Sequence, residues 1–223
     1  MNPSQRRRLQ LIAALAAYLI ALWVLWPTVF VYPLKIFVVF LHELSHALAA
    51  VATGGQVASI NLDPREGGAT WVRGGNRFLT LSAGYLGSLL WGLLLLAIAR
   101  SRPRAARAVV QALGVLMILM TIGYVRGWFG MVFGLLFGIG LFAAGRRLRP
   151  QAAAAVLSVL GVTSAVYALL DIRSDILLQP GAPSDAAMLA QLTGIPAIIW
   201  GLLWGVIALA ACTLMLRRMW RSG

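Results

Sequence analysis

The sequence predicts an all-α polytopic membrane protein with about six or seven transmembrane helices and a small β-hairpin or re-entrant loop. The prediction rests on composition, because 61% of the 223 residues are hydrophobic and only 11% are charged, and the mean hydropathy is +0.86. Soluble domains contain about 45–50% apolar and about 25% charged residues. The composition therefore excludes an ordinary cytosolic enzyme, a disordered chain and a disulfide-stapled secreted module.

A spanning helix needs about 20 mostly apolar residues. The segments with that character are residues 9–31, 34–53, 78–99, 108–125, 128–144, 152–170 and 195–216. The first segment is too long for the apolar region of a signal peptide and has no clear cleavage site, so we expect a retained helix. Three apolar segments lie between the arginine clusters at 6–8 and 100–107. An odd number of membrane crossings cannot leave both clusters on the same side of the membrane. Either part of residues 54–77 enters the membrane or one segment does not span it.

The net charge of +13 arises from 19 basic residues against 6 acidic ones. The arginines stand in short clusters at the ends of apolar segments, at residues 6–8, 100–107, 146–149 and 217–221. The positive-inside bias and anionic lipid headgroups favour this arrangement. Because no basic face remains once these clusters are assigned to the membrane surface, we expect the lipid bilayer as a partner and no nucleic acid.

Residues 54–77 form the longest stretch without a helical pattern. Gly54 and Gly55 end the preceding helix, residues 57–62 alternate imperfectly between apolar and polar, and residues 64–68 contain turn formers. Residues 69–72 then fit a returning strand. At membrane depth such backbone must be buried against protein or line a water-filled cavity. The pattern predicts a hairpin that is either an ordinary surface hairpin or re-entrant.

Glycines recur at every fourth position of the segment 128–144, at Gly130, Gly134 and Gly138. Such a stripe of small residues lets a second helix approach closely in a membrane. We interpret it as a helix-packing face.

The strongest functional signal is the run from His42 through Glu43 to His46, which contains both histidines of the chain. Residues four apart share a helix face, so the two imidazoles can hold one metal ion. Glu43 can then reach a water molecule activated by that metal and act as the general base. Each ionisable residue inside a spanning helix costs about 2.5–3.5 kcal/mol on insertion scales, so three together imply a function.

A third protein ligand is needed, and no histidine remains. The other acidic residues are Asp63, Glu66, Asp171, Asp175 and Asp185. We rank Asp171 first, because it ends an apolar helix, and Asp175 second. Asp185 comes third, because an acid at the start of a short helix capped by the preceding serine has a structural explanation. Asp63 and Glu66 lie around the predicted turn, where charged side chains are usually solvated.

The run 40–48, followed by Thr-Gly-Gly at 53–55 and Ser-Ala-Gly-Tyr-Leu-Gly at 82–87, resembles the site-2 protease family of intramembrane zinc metalloproteases. The similarity is to the short bacterial members without a PDZ domain, and covers residues 34–90 well and residues 184–196 loosely. It implies zinc held by His42, His46 and a distant aspartate, with Glu43 as the base. The family's Leu-Asp-Gly motif corresponds to residues 170–172, with Ile172 in place of glycine, so the resemblance also indicates Asp171.

The sequence thus favours one membrane-embedded metalloprotease domain over residues 1–223. It comprises a zinc-site helix at 34–53, a non-helical loop at 54–77 and an outer loop at 171–194 that contains the candidate third ligand. The expected activity is zinc-dependent hydrolysis of peptide bonds in or near the transmembrane segments of membrane-anchored proteins, in the bacterial inner membrane. The alternative is a catalytically degenerate scaffold or a metal permease that retains the motif. A permease should show more intramembrane carboxylates or histidines along a path.

Overall fold

The computed structural model describes residues 3–26, 28–173 and 184–221. Within these ranges it contains eight helices and three strands. In chain order they are α1 (Pro3–Leu25), α2 (Tyr32–Ala52), β1 (Gln56–Asp63), β2 (Gly67–Arg73), α3 (Arg77–Ser101), α4 (Pro103–Tyr124), β3 (Val125–Arg126), α5 (Trp128–Arg147), α6 (Pro150–Arg173), α7 (Asp185–Thr193) and α8 (Ala197–Arg221).

Six of the described helices, α2 to α6 and α8, are long and apolar enough to cross a membrane. This confirms the prediction of an all-α polytopic membrane protein. The predicted first segment, 9–31, is wrong at its end, because α1 stops at Leu25 and a turn follows, with the Thr28 hydroxyl donating to the Leu25 carbonyl at 2.6 Å.

Helix α2 lies at the centre of the bundle. In its apolar window 72% of the residues are buried, against 17% in α8. Its apolar side chains, among them Phe37, Phe40 and Leu44, form the largest core cluster together with residues of α3, α4, α5 and α6. The helix that carries the metal-binding motif is therefore the one most shielded from lipid.

Small residues bring the neighbouring helices close together. A Cβ atom on Gly92 of α3 would lie 2.7 Å from the Ala165 nitrogen and the Gly161 oxygen of α6. The predicted stripe on α5 is buried and packs on α4, where a Cβ atom on Gly114 would lie 2.6 Å from the Gly138 oxygen. The glycine stripe is thus used for packing between α4 and α5 of the same chain.

The strands form a sheet of order β2-β1-β3. β1 pairs antiparallel with β2, from Gln56↔Arg73 to Asp63↔Gly67, and parallel with the two residues of β3. The predicted hairpin at 54–77 is confirmed. β1 is the central strand, and β2 and the two-residue β3 are the edge strands of the described sheet.

The hairpin returns along α2 instead of projecting away from it. It begins just after α2 ends, yet its turn reaches the other end of α2, where the Lys35 Nζ atom lies 2.8 Å from Glu66 Oε1. With a rise of 1.5 Å per residue, Lys35 and Ala52 are about 26 Å apart along the helix, close to the ~30 Å of a bilayer core. The hairpin therefore runs alongside α2 over most of its length, which favours the re-entrant alternative. The expectation that Glu66 is only solvated is wrong, because a buried lysine pairs with it.

Gly114→Ala should lower the thermal stability of the detergent-solubilised protein. The added methyl group meets the backbone of α5, and such overpacking costs about 1–3 kcal/mol. Gly123→Ala on the same helix is the matched control, because a Cβ atom there meets nothing within 4 Å. Equal melting temperatures for the two variants would contradict this account of the α4–α5 contact.

Candidate metal centre

The two imidazoles of α2 are held in a defined orientation by groups behind them. His46 Nδ1 lies 2.7 Å from the Thr80 carbonyl oxygen of α3. Because a carbonyl can only accept, this nitrogen carries the proton and the His46 Nε2 atom presents a lone pair. On His42, Nδ1 lies 3.7 Å from Asp171 Oδ2. A carbonyl bonded to the second ring nitrogen, as Thr80 is to His46, orients metal-binding histidines. The Asp171–His42 distance, in contrast, is that of an ion pair and exceeds a direct hydrogen bond.

The Nε2 atoms of both histidines face one carboxylate. Asp185 Oδ2 lies 3.2 Å from His42 Nε2 and 3.2 Å from His46 Nε2. The Asp185 side chain is 7% exposed, and its Oδ2 atom makes no hydrogen bond within the described residues. Three acceptor atoms this close, buried together, require a proton or a metal cation between them.

Asp185 is placed by the start of α7. The Ser184 hydroxyl accepts a hydrogen bond from the Ala187 N–H at 3.3 Å, so it caps the helix that Asp185 begins. Burial alone would raise the pKa of the Asp185 carboxyl, but its interactions with His46 and His42 hold that pKa at about 2. This lowering of the pKa requires imidazoles that carry a proton; where the rings are neutral and present lone pairs, a metal cation in the same place would keep the carboxylate ionised.

A glycine of α3 leaves the space for the site. A Cβ atom on Gly84 would collide with the Nε2 atom of His42 and the Oδ2 atom of Asp185. One turn along α3, a Cβ atom on Gly87 would collide with the Ser45 hydroxyl. Two nitrogens and an oxygen around a cradle that one methyl group would fill are a donor set that zinc accepts. The residues present therefore fit a zinc ion.

Glu43 lies beside this cluster and is held from the hairpin. The ligand atoms of His42, Glu43 and His46 all lie within 4.8 Å of one another. The Thr70 hydroxyl of β2 lies 2.7 Å from Glu43 Oε2 and 3.0 Å from the Glu43 carbonyl oxygen. A Cβ atom on Gly68 would lie 2.5 Å from Glu43 Oε1, so β2 passes directly over the carboxylate.

A family model for Peptidase M50B-like proteins matches residues 15–215. The chain belongs to this family. The resemblance to the site-2 proteases inferred from the motif is thereby confirmed. Neither the curated proteins nor the solved structures include a significant match to this M50B-like chain.

In this M50B-like protein the structure brings together the residues of the motif and Asp185, which the sequence ranked third. Asp171, ranked first, lies at the Nδ1 side of His42, facing away from the convergence of the Nε2 atoms. The geometry therefore favours Asp185 over Asp171 as a metal ligand. Asp175 lies outside the described residues.

The sequence did not single out the roles of Thr70, Thr80 and Gly84. The similarity at residues 82–87 was a signal for Gly84, because a glycine there keeps the α3 backbone close to the histidines. No local pattern identifies Thr70, which reaches Glu43 only because the hairpin folds back along α2.

Gly84→Ala should abolish metal binding while the protein still folds, because the added methyl group occupies the space between His42 and Asp185. We expect zinc per chain, measured by mass spectrometry of the purified protein, to fall from about one to near zero. Gly205→Ala on α8, where a Cβ atom meets nothing within 4 Å, should keep its zinc. Full zinc occupancy in a folded Gly84→Ala variant would contradict the location of the site.

Proposed function

We propose that this chain is a zinc metalloendopeptidase of a bacterial inner membrane, which hydrolyses peptide bonds in or near transmembrane segments of membrane-anchored proteins. The observation that carries the proposal is the convergence of the His42 and His46 Nε2 atoms on Asp185, with Glu43 beside them. Membership of a peptidase family supports the reaction type. The location on a central spanning helix supports a substrate within the membrane.

In this proposal His42, His46 and Asp185 hold the zinc ion, and Asp171 orients His42 through its Nδ1 atom. When bound, zinc acts as a Lewis acid that makes water reactive near neutral pH. Support for the ligand choice comes from the distances, because Asp185 lies 3.2 Å from both Nε2 atoms whereas Asp171 approaches only Nδ1 of His42.

Glu43 is proposed as the general base and then the general acid. Its carboxylate accepts a proton from the attacking water as the new C–O bond forms. It then donates that proton to the amide nitrogen as the C–N bond breaks, so the two products are a carboxylic acid and an amine. The Thr70 hydroxyl donates to Oε2 at 2.7 Å and so fixes the orientation of this carboxylate.

The substrate must be extended at the cleaved bond, because a helical peptide bond is hydrogen-bonded and shielded by side chains. Its freed N–H and C=O groups then need partners away from water. The open edge of β2 offers them by strand addition. β3 pairs with β1 only at Ile60 and Asn61, whereas β2 has no second partner strand in the described sheet and is the strand that contacts Glu43.

Asp185→Ala should lose zinc, whereas Asp171→Asn should retain a full equivalent that is bound about 10–100-fold more weakly, as expected for an orienting group. The measurement is zinc content per chain, followed by competition with a chelator. His46→Ala serves as the positive control for loss of a ligand. If Asp171→Asn lost zinc and Asp185→Ala retained it, the two assignments would have to be exchanged.

Glu43→Gln should retain zinc and lose cleavage, because the amide cannot accept the proton while the ligands are untouched. The assay uses purified protein in vesicles with a panel of fusion proteins, each anchored by one apolar span that contains a Gly-Pro pair. We expect the rate to fall by about 10³-fold or more. Asp63→Asn, which keeps the turn hydrogen bond to the Arg65 N–H, is the matched control.

Two outcomes of this assay would contradict the proposed function. Cleavage that survives Glu43→Gln unchanged would show that this carboxylate is not the base. The absence of cleavage of every anchored span by the zinc-loaded wild type would favour a non-proteolytic scaffold.

A further inference from the structure

The turn of the hairpin is anchored by a lysine inside the apolar bundle. Lys35 of α2 is only 4% exposed, although lysine is almost never buried unless it is paired. Its Nζ atom lies 2.8 Å from Glu66 Oε1 and 4.7 Å from the centre of the Trp26 ring. An ion pair and a cation–π contact thus compensate for the lost hydration of the ammonium group.

Two tyrosines from separate helices hold the same turn. The Tyr32 hydroxyl donates to the Pro64 carbonyl at 2.8 Å, and the Tyr167 hydroxyl of α6 donates to the Glu66 carbonyl at 3.4 Å. Glu66 itself has a φ of 69°, in the left-handed region that non-glycine residues rarely adopt. A residue keeps a strained backbone conformation only where the contacts around it impose that conformation, and such positions cluster at functional sites.

The anchored turn controls the part of the hairpin that lies over the candidate site. Thr70, four residues beyond Glu66, donates to the Glu43 carboxylate. Lys35 and Glu43 belong to the same helix, so the hairpin is attached to α2 at two heights, once at its turn and once at the site. Displacing the turn would shift the edge of β2 relative to Glu43, because the two strands move together through their pairing.

We propose that the Lys35–Glu66 ion pair is a positioning device that sets the open edge of β2 at the height of Glu43, where an extended substrate segment is received. This inference rests on the proposed function for its link to substrate. The pair acts through the hairpin and touches no reacting atom, so its loss should weaken substrate binding more than the chemical step.

Lys35→Met tests the pair without leaving an unpaired buried charge, since Glu66 is 36% exposed and can be solvated. Glu66→Gly removes the carboxylate, but glycine readily adopts the left-handed backbone conformation of this position. This variant therefore separates the effect of losing the ion pair from the effect of changing the turn conformation. The exchanged pair Lys35→Glu with Glu66→Lys restores opposite charges. Arg65→Gln, in the same exposed turn, is the matched control.

Three quantities are measured for each variant: zinc per chain, amide hydrogen exchange of residues 67–73, and kcat and KM for an anchored span that the wild type cleaves. For Lys35→Met and Glu66→Gly we expect full zinc, about tenfold faster exchange, and a KM raised about fivefold with little change in kcat. The exchanged pair should bring exchange and KM back to within about twofold of the wild type. Arg65→Gln should match the wild type.

Unchanged exchange and KM in Lys35→Met would overturn the proposal. So would wild-type behaviour of Glu66→Gly, because the turn conformation alone would then suffice. Loss of zinc in Lys35→Met would show a general structural role instead. Hydrogen exchange does not depend on catalysis, so the anchoring of β2 is tested even if the proposed peptidase activity fails, and the two failures are distinguishable.

Discussion

The arrangement around the histidines depends on one unfavourable juxtaposition: the Nε2 atoms of His42 and His46 and the Oδ2 atom of Asp185 face one another, buried in the bundle. Acceptor atoms repel one another strongly where the dielectric constant is low, unless a cation or proton lies between them. Separate elements hold them together. α2 presents the imidazoles, α7 the carboxylate, and α3 contributes the Thr80 carbonyl and closes over the cluster at Gly84.

Non-helical backbone at membrane depth imposes a second constraint, because its polar groups need partners away from water. β1 is paired with β2 along its length and with β3 at Ile60 and Asn61, while β2 is paired on one side within the described sheet. An unpaired edge is normally a liability. Here the strand with the unpaired edge is also the one whose residues Gly68 and Thr70 face Glu43.

Much of the fold was predictable because hydropathy and helical spacing are local properties. Six spans, the hairpin and the pairing of His42 with His46 followed from them. The third carboxylate was harder, because Asp171 and Asp185 both lie near a helix end and only packing decides which faces the Nε2 atoms. The helix-start explanation of Asp185 is correct but incomplete. Glu66 was misjudged for the same reason, since its partner Lys35 is distant in sequence.

The chain order of the site has a consequence for biosynthesis. The two imidazoles lie on α2, whereas the aspartate opposite them begins α7, and helices α3 to α6 all lie between. Domains are made from the N-terminus onward, so the ribosome has completed five of the six candidate spans before Asp185 emerges. Until then the histidines have no carboxylate opposite them. With Asp185 as the proposed third ligand, the zinc site is completed only after α7 has been made, when the first five candidate spans are already in place.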